Sequence, residues 1–107
     1  MNKLDLSVYT EKVWEVTMID GTELHIKKPT QKQLIILNGY DVKLSKAKTF
    51  EDKIKALNEV AVVILNNNKE DKKYKAEDFE DMQVDVLYAI YFGYGDFIKE
   101  VMSNPNS

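Results

Sequence analysis

From Lys12 to Lys27 the chain alternates apolar and polar side chains, KVWEVTMIDGTELHIK, with Asp20-Gly21 near the middle. Alternation at period two around an Asp-Gly pair predicts a β-hairpin. The register follows from which pairing collects the apolar groups. A two-residue loop would pair Ile19 with Thr22 and set Trp14, Val16 and Met18 opposite Lys27, His25 and Glu23, which mixes the faces. A three-residue loop, Ile19-Asp20-Gly21 with Gly21 left-handed in a bulge, pairs Met18 with Thr22, Val16 with Leu24 and Trp14 with Ile26. All the large apolar groups except Val13 and Ile19 then share one face, so the bulged register is predicted.

Beyond Pro29 the period lengthens to that of a helix. Thr30 with Gln33 forms a capping box, which satisfies two orphan amides at a helix start, and a helix is expected from about Gln31 to Leu44. Leu34, Ile36, Leu37, Tyr40 and Leu44 lie on one side of it, and Gly39 weakens its middle. After the connection SKAKT, Thr49 and Asp52 repeat the capping logic. Phe50, Ile54, Leu57, Ala61, Ile64 and Leu65 then recur at helical spacing, the clearest amphipathic pattern in the chain. The stretch NNNKEDKK, residues 66–73, reads as a solvated loop, and YKAEDFEDM as a short helical turn.

A last helix is expected from about Gln83 to Met102. Its apolar positions, Val84, Val86, Leu87, Tyr88, Ile90, Tyr91, Tyr94, Phe97, Ile98 and Val101, cover roughly 200 degrees of arc, while a core-facing stripe needs little more than half of that. Phe92 falls within the narrow polar side with Asp85, Asp96, Lys99 and Glu100. Ala89 and Gly93, four apart, and Gly95 beside them would let another helix approach closely. The other explanation of the wide apolar arc is a central place for this helix, wedged between the hairpin and its sister helices.

Residues 1–11 form a polar leader with weak anchors at Leu4, Leu6, Val8 and Tyr9, and residues 12–107 a single domain. The predicted fold class is α+β: an N-terminal β-hairpin packed on a bundle of about three main α-helices. Trp14, Val16, Met18, Leu24 and Ile26 are expected to face Leu37, Leu57, Ile64, Leu87 and Ile90.

Composition narrows the function. The 107 residues are 44% apolar and 31% charged, enough for one self-sufficient core. There is no cysteine, which removes disulfides, thiolate zinc sites and a cysteine nucleophile. The formal charge is -3 and all 15 basic residues are lysine. Without the guanidinium fork or an acid-free lysine stripe, no nucleic-acid partner is expected. The longest strongly apolar run, VAVVIL, is too short to span a bilayer, and MNKLDLSVYTEKVW lacks a signal-peptide core, so no membrane association is expected and the cytosol is the default location.

Candidate chemistry is sparse. His25, the lone histidine, sits on a strand face with Glu23 and Lys27 and has no evident nucleophile or pocket. The acids Glu77, Asp78, Glu80, Asp81 and Asp85 lack the ligand spacing and loop glycine of a calcium site, and suit the start of a helix. GYGDFI has glycines two apart, but it lies inside a helical pattern and no strand precedes it. No enzyme activity, metal or cofactor is expected. What remains is excess apolar surface on the last helix, the kind that marks a protein partner. The candidate partner-binding residues are Tyr88, Tyr91, Phe92, Tyr94 and Phe97, with self-association into a homo-oligomer as one use.

The strand pair and cap KVWEVTMIDGTELHIKKPT, the polar break NNNKEDKKYKAEDFEDM and the aromatic-rich last helix ending in NPNS resemble, across about residues 9–107, the small tail assembly chaperones of long-tailed bacteriophages and prophages of Gram-positive hosts. The resemblance implies a non-enzymatic protein of the host bacterial cytoplasm, made during tail morphogenesis and absent from the finished particle. It also implies partners: the long, helical tape measure protein, which such chaperones keep soluble, and the tail tube protein, whose polymerisation displaces them. The rival expectation is a structural tail or connector subunit that self-assembles through its C-terminal helix and stays in the particle.

Overall fold

The hairpin forms as its alternation requires. In the computed structural model, which describes residues 2–10 and 12–103, β1 (Val13–Thr17) pairs antiparallel with β2 (Glu23–Lys27), Trp14 opposite Ile26 and Val16 opposite Leu24. The Met18 amide donates to the Thr22 carbonyl at 2.8 Å and the Gly21 amide to the Met18 carbonyl at 2.9 Å. Gly21 has φ of 90°, the conformation that the bulged loop assigns to glycine. Met1, Glu11 and residues 104–107, which include both ends of the expected leader and the closing NPNS, lie outside the described residues.

Three helices follow: α1 (Gln31–Lys46), α2 (Phe50–Leu65) and α3 (Val84–Ser103). At the head of α1 both arms of the capping box are made. Gln33 N–H donates to Thr30 Oγ1 at 3.2 Å, and Thr30 N–H to Gln33 Oε1 at 2.8 Å. Thr49 caps α2 by accepting from the Asp52 amide at 3.1 Å. One 3-10 turn, Ala76–Phe79, precedes α3, and another, Leu6–Thr10, lies within the leader, where the Lys28 ammonium sits 5.6 Å from the centre of the Tyr9 ring. The fold is α+β, a two-stranded hairpin with three helices.

The core gathers around α2 and α3. Leu24 and Ile26 of β2, Leu57, Val60, Ile64 and Leu65 of α2, and Leu87, Ile90, Tyr94 and Phe97 of α3 are buried. Trp14, Val16 and Met18 pack on this core while half-buried, so β2 rather than β1 supplies the inner part of the hairpin face. Tyr94 reconciles burial with its polar tip by donating its hydroxyl to the Lys27 carbonyl at 2.7 Å.

Three expectations are corrected. Residues 66–73 are not a solvated loop throughout. Asn67 and Asn68 lie along the free edge of β2: the Lys27 amide donates to the Asn67 carbonyl at 2.8 Å, the Lys69 amide to the His25 carbonyl at 2.9 Å, and Asn68 pairs with Ile26. Asn68 is buried and bonds the backbone of Leu65 and Lys72 three times, at 2.8–2.9 Å. Asn66 clasps both backbone groups of Tyr74. Polar side chains that replace backbone partners let a hydrophilic segment be ordered. The second correction concerns Ile36 and Phe50, expected on inner helix faces. They are exposed, Phe50 at 75%: Ile36 lies off the half-buried line of α1, and Phe50, on the face of Leu57 and Ile64, stands at the first position of α2. The third concerns α1, which packs chiefly on α2 and has no fully buried side chain.

The molecule is therefore drawn out. Its Cα radius of gyration is 15.1 Å, against about 13 Å for a typical domain of this length. Its accessible surface is 7650 Å² where about 6,100 Å² is usual for the mass.

Candidate interaction surface

Three neighbours account for the wide apolar arc of α3. Its centre, Leu87, Ile90, Tyr94, Phe97 and Val101, is buried against α2 and the hairpin. One flank meets β1, where Gly93 lies under the indole of Trp14, so close that a Cβ there would stand 2.7 Å from Cζ2. The small-residue position thus admits a tryptophan from the same domain rather than a second helix. The other flank, Tyr91, Gly95 and Ile98 with Phe92 beyond them, turns toward α1 and is left partly uncovered.

Between that flank and α1 runs an open cleft of about 310 Å³. Leu37 and Asp41 of α1 form one wall, Ile64 of α2 and the buried Tyr94 lie beneath, and Tyr91, Phe92, Gly95 and Ile98 form the other wall, with Asp96 and Lys99 on the rim. The Tyr91 hydroxyl donates to Asp41 Oδ1 across the cleft. Burial, reinforced by that carboxylate, pushes the Tyr91 phenol up to about 12, so it remains a neutral donor at any physiological pH.

Of the five predicted site residues, the structure brings Tyr88, Tyr91 and Phe92 together. The Phe92 ring stacks on Tyr88 with centroids 5.6 Å apart and planes 9° apart, and lies 5.2 Å from Tyr91 at a tilt. Phe92 is 59% exposed; Tyr88 and Tyr91 are half-buried. Phe97 does not line the cleft, and Tyr94 lines it only from its floor. Both are core residues, stacked on each other at 5.9 Å, with the Tyr94 ring also 5.7 Å from Trp14. They point to the buried centre of the arc, whereas Phe92 points away from it.

The sequence missed Leu37 and Asp41 as site residues. Asp41 is the one acid of α1, but its partner lies 50 residues away, and nothing local joins them. On the side of α1 away from Leu37, Ile35 and Val42 are exposed at 74% and 44%. His25, read as a solvent-facing strand residue, is half-exposed and clamped by Glu70. Its amide donates to Glu70 Oε1 at 2.8 Å and its ring Nδ1 lies 2.6 Å from Oε2. The two contacts, backbone first, hold the Glu70 carboxyl below the usual range.

Among the described residues no group of three histidine, cysteine or acidic side chains is placed to hold a metal ion, and no helix is long and apolar enough to cross a membrane. No protein family, curated protein or solved structure matches the chain. The surface presents stacked, partly exposed aromatics beside an apolar cleft between two helices. Such a surface offers contact area and a hydrogen-bond donor, and suits binding.

Proposed function

We propose that the chain is a non-enzymatic phage tail assembly chaperone that binds the tape measure protein in the host cytoplasm during tail morphogenesis. The observation that carries this reading is the open cleft between α1 and α3, lined by Tyr91 and Phe92, with Tyr88 stacked on Phe92. A long helical client exposes apolar stripes before its tube is built, and a cleft between two helices can take such a stripe in the helix-in-groove manner. Burying the exposed part of Phe92 would contribute about 1–2 kcal/mol, with the half-exposed tyrosines adding less. Such modest increments favour a contact that can be released when the tail tube protein arrives.

The rival, a structural tail or connector subunit joined through its C-terminal helix, draws less support. Trp14 covers Gly93 of α3, and Tyr94 and Phe97 are used within the monomer. The test is a tagged copy expressed in the cell that carries the gene, during phage production, with co-purifying proteins identified by mass spectrometry. Recovery of a very long helical protein, lost with Phe92→Glu, is expected. Recovery of host proteins alone would remove the phage reading.

A further inference from the structure

A second, larger groove lies on another side of the molecule, between the first half of α2 and the Ala76–Phe79 turn with the start of α3; its volume is about 740 Å³. Its inner surface is apolar: Ile54, Met82 and Val84 over Phe79 and Leu87, with Phe50 on the rim. Phe50 is 75% exposed although it opens the most amphipathic helix of the chain. A large aromatic so placed is costly to solvate and lacks a role in the core.

The charge around the groove is one-sided. Glu51, Glu59, Glu77 and Glu80 line it with a single cation, Lys55. These lining side chains sum to -3, or -2 once Lys43, which pairs with Glu59, is included. Glu59 is engaged by Lys43 at 3.1 Å, while Glu51, Glu77 and Glu80 make no ion pair among the described residues. The carboxylates do not converge on a metal site. An anionic ligand would be repelled, and a neutral apolar one would leave the rim unused.

We infer that this groove is a second docking site, and that its partner is an amphipathic helix whose apolar stripe is flanked by lysine or arginine. The apolar inner surface takes the stripe and the glutamate rim takes the basic flanks, which also gives orientation and a faster encounter. The walls are helices and a turn, and no strand edge borders the groove. An extended segment would find no backbone partners there, whereas a helix satisfies its own. The inference concerns a different surface from the α1–α3 cleft and stands without the chaperone reading.

The test uses the full chain and two dye-labelled helical peptides of about twenty residues with the same leucine stripe, one flanked by lysines and the other by glutamates. Fluorescence anisotropy should show the lysine peptide binding at least about tenfold more tightly, with the advantage shrinking as salt rises. The exposed double reversal Glu77→Lys with Glu80→Lys should invert that preference while the circular dichroism spectrum stays unchanged. Phe50→Ser should weaken the lysine peptide, and Phe92→Glu, in the other cleft, should leave it unaffected. The inference is overturned if the two peptides bind alike, if the charge reversal changes nothing, or if Phe92→Glu abolishes binding. It is equally overturned if sedimentation shows a dimer that Phe50→Ser dissolves, since the groove would then be covered by a second copy of the chain.

Discussion

Replacing Gly93 by alanine places a methyl group 2.7 Å from Cζ2 and 3.1 Å from Cη2 of Trp14. In an open helical position this change stabilises by about 1 kcal/mol, because glycine loses more backbone freedom on folding. Here the methyl meets a rigid fused ring that already lies against Tyr94, 5.7 Å between centroids. Forcing a methyl into occupied space costs about 1–3 kcal/mol. The overlap should outweigh the propensity gain, for a net loss of roughly 1 kcal/mol. Gly95 is the internal control: it lies in the same helix and nothing stands within 4 Å of its added Cβ. Gly95→Ala should stabilise by about 0.5–1 kcal/mol. The two variants should then differ by about 2 kcal/mol, or roughly 8 °C in melting temperature for a domain of this size. Urea unfolding followed by far-ultraviolet circular dichroism measures the difference, and fluorescence of Trp14, the sole tryptophan, reports the contact itself. If Gly93→Ala stabilised as much as Gly95→Ala, Trp14 would not rest on α3, and the account of the wide apolar arc would be refuted.

Asn68→Ala should cost about 2–4 kcal/mol, because three bonds to the backbone of Leu65 and Lys72 are lost in a buried site; denaturant titration measures it. Tyr91 and Tyr94, both held up to about 12 by burial, should ionise well above the ordinary phenol value of about 10 when phenolate absorbance is followed with pH. Since the fold raises these two, their stabilising contribution is complete below the ordinary value of about 10 and is lost as pH rises from there through about 12. Glu70 works in the opposite direction. Its carboxyl is lowered by His25, so its contribution is present above the ordinary carboxylate range and is lost as pH falls through the lowered value. Glu70→Gln should flatten the acid side of the stability profile.

The elements that could be read from the sequence are those whose signals are local. The hairpin register follows from one buried face and one glycine, and Gly21 adopts the left-handed turn that the pairing demands. Thr30 with Gln33, and Thr49 with Asp52, mark helix starts because a capping bond spans only three residues. The order of the asparagine run is not legible because Asn67 pairs with Lys27, 40 residues away, while the shorter links of Asn66 to Tyr74 and of Asn68 to Leu65 and Lys72 follow no regular spacing. At the candidate site, the helical wheel identified an arc too wide for one neighbour. It could not divide that arc among neighbours, so Tyr94 and Phe97 were grouped with Phe92. Only the packing separates them, since two face β2 and α2 and the third faces outward. The cleft also needs α1, whose weak apolar stripe gives no hint of which side it turns to α3.

The most direct test of the central claim is to quantify this chain, by mass spectrometry against labelled standards, in gradient-purified phage particles and in the lysate from which they came. A chaperone reading predicts abundant chain in lysate complexes with a very long helical protein and none in finished particles. A fixed number of copies in every particle would contradict it and make the chain a structural subunit.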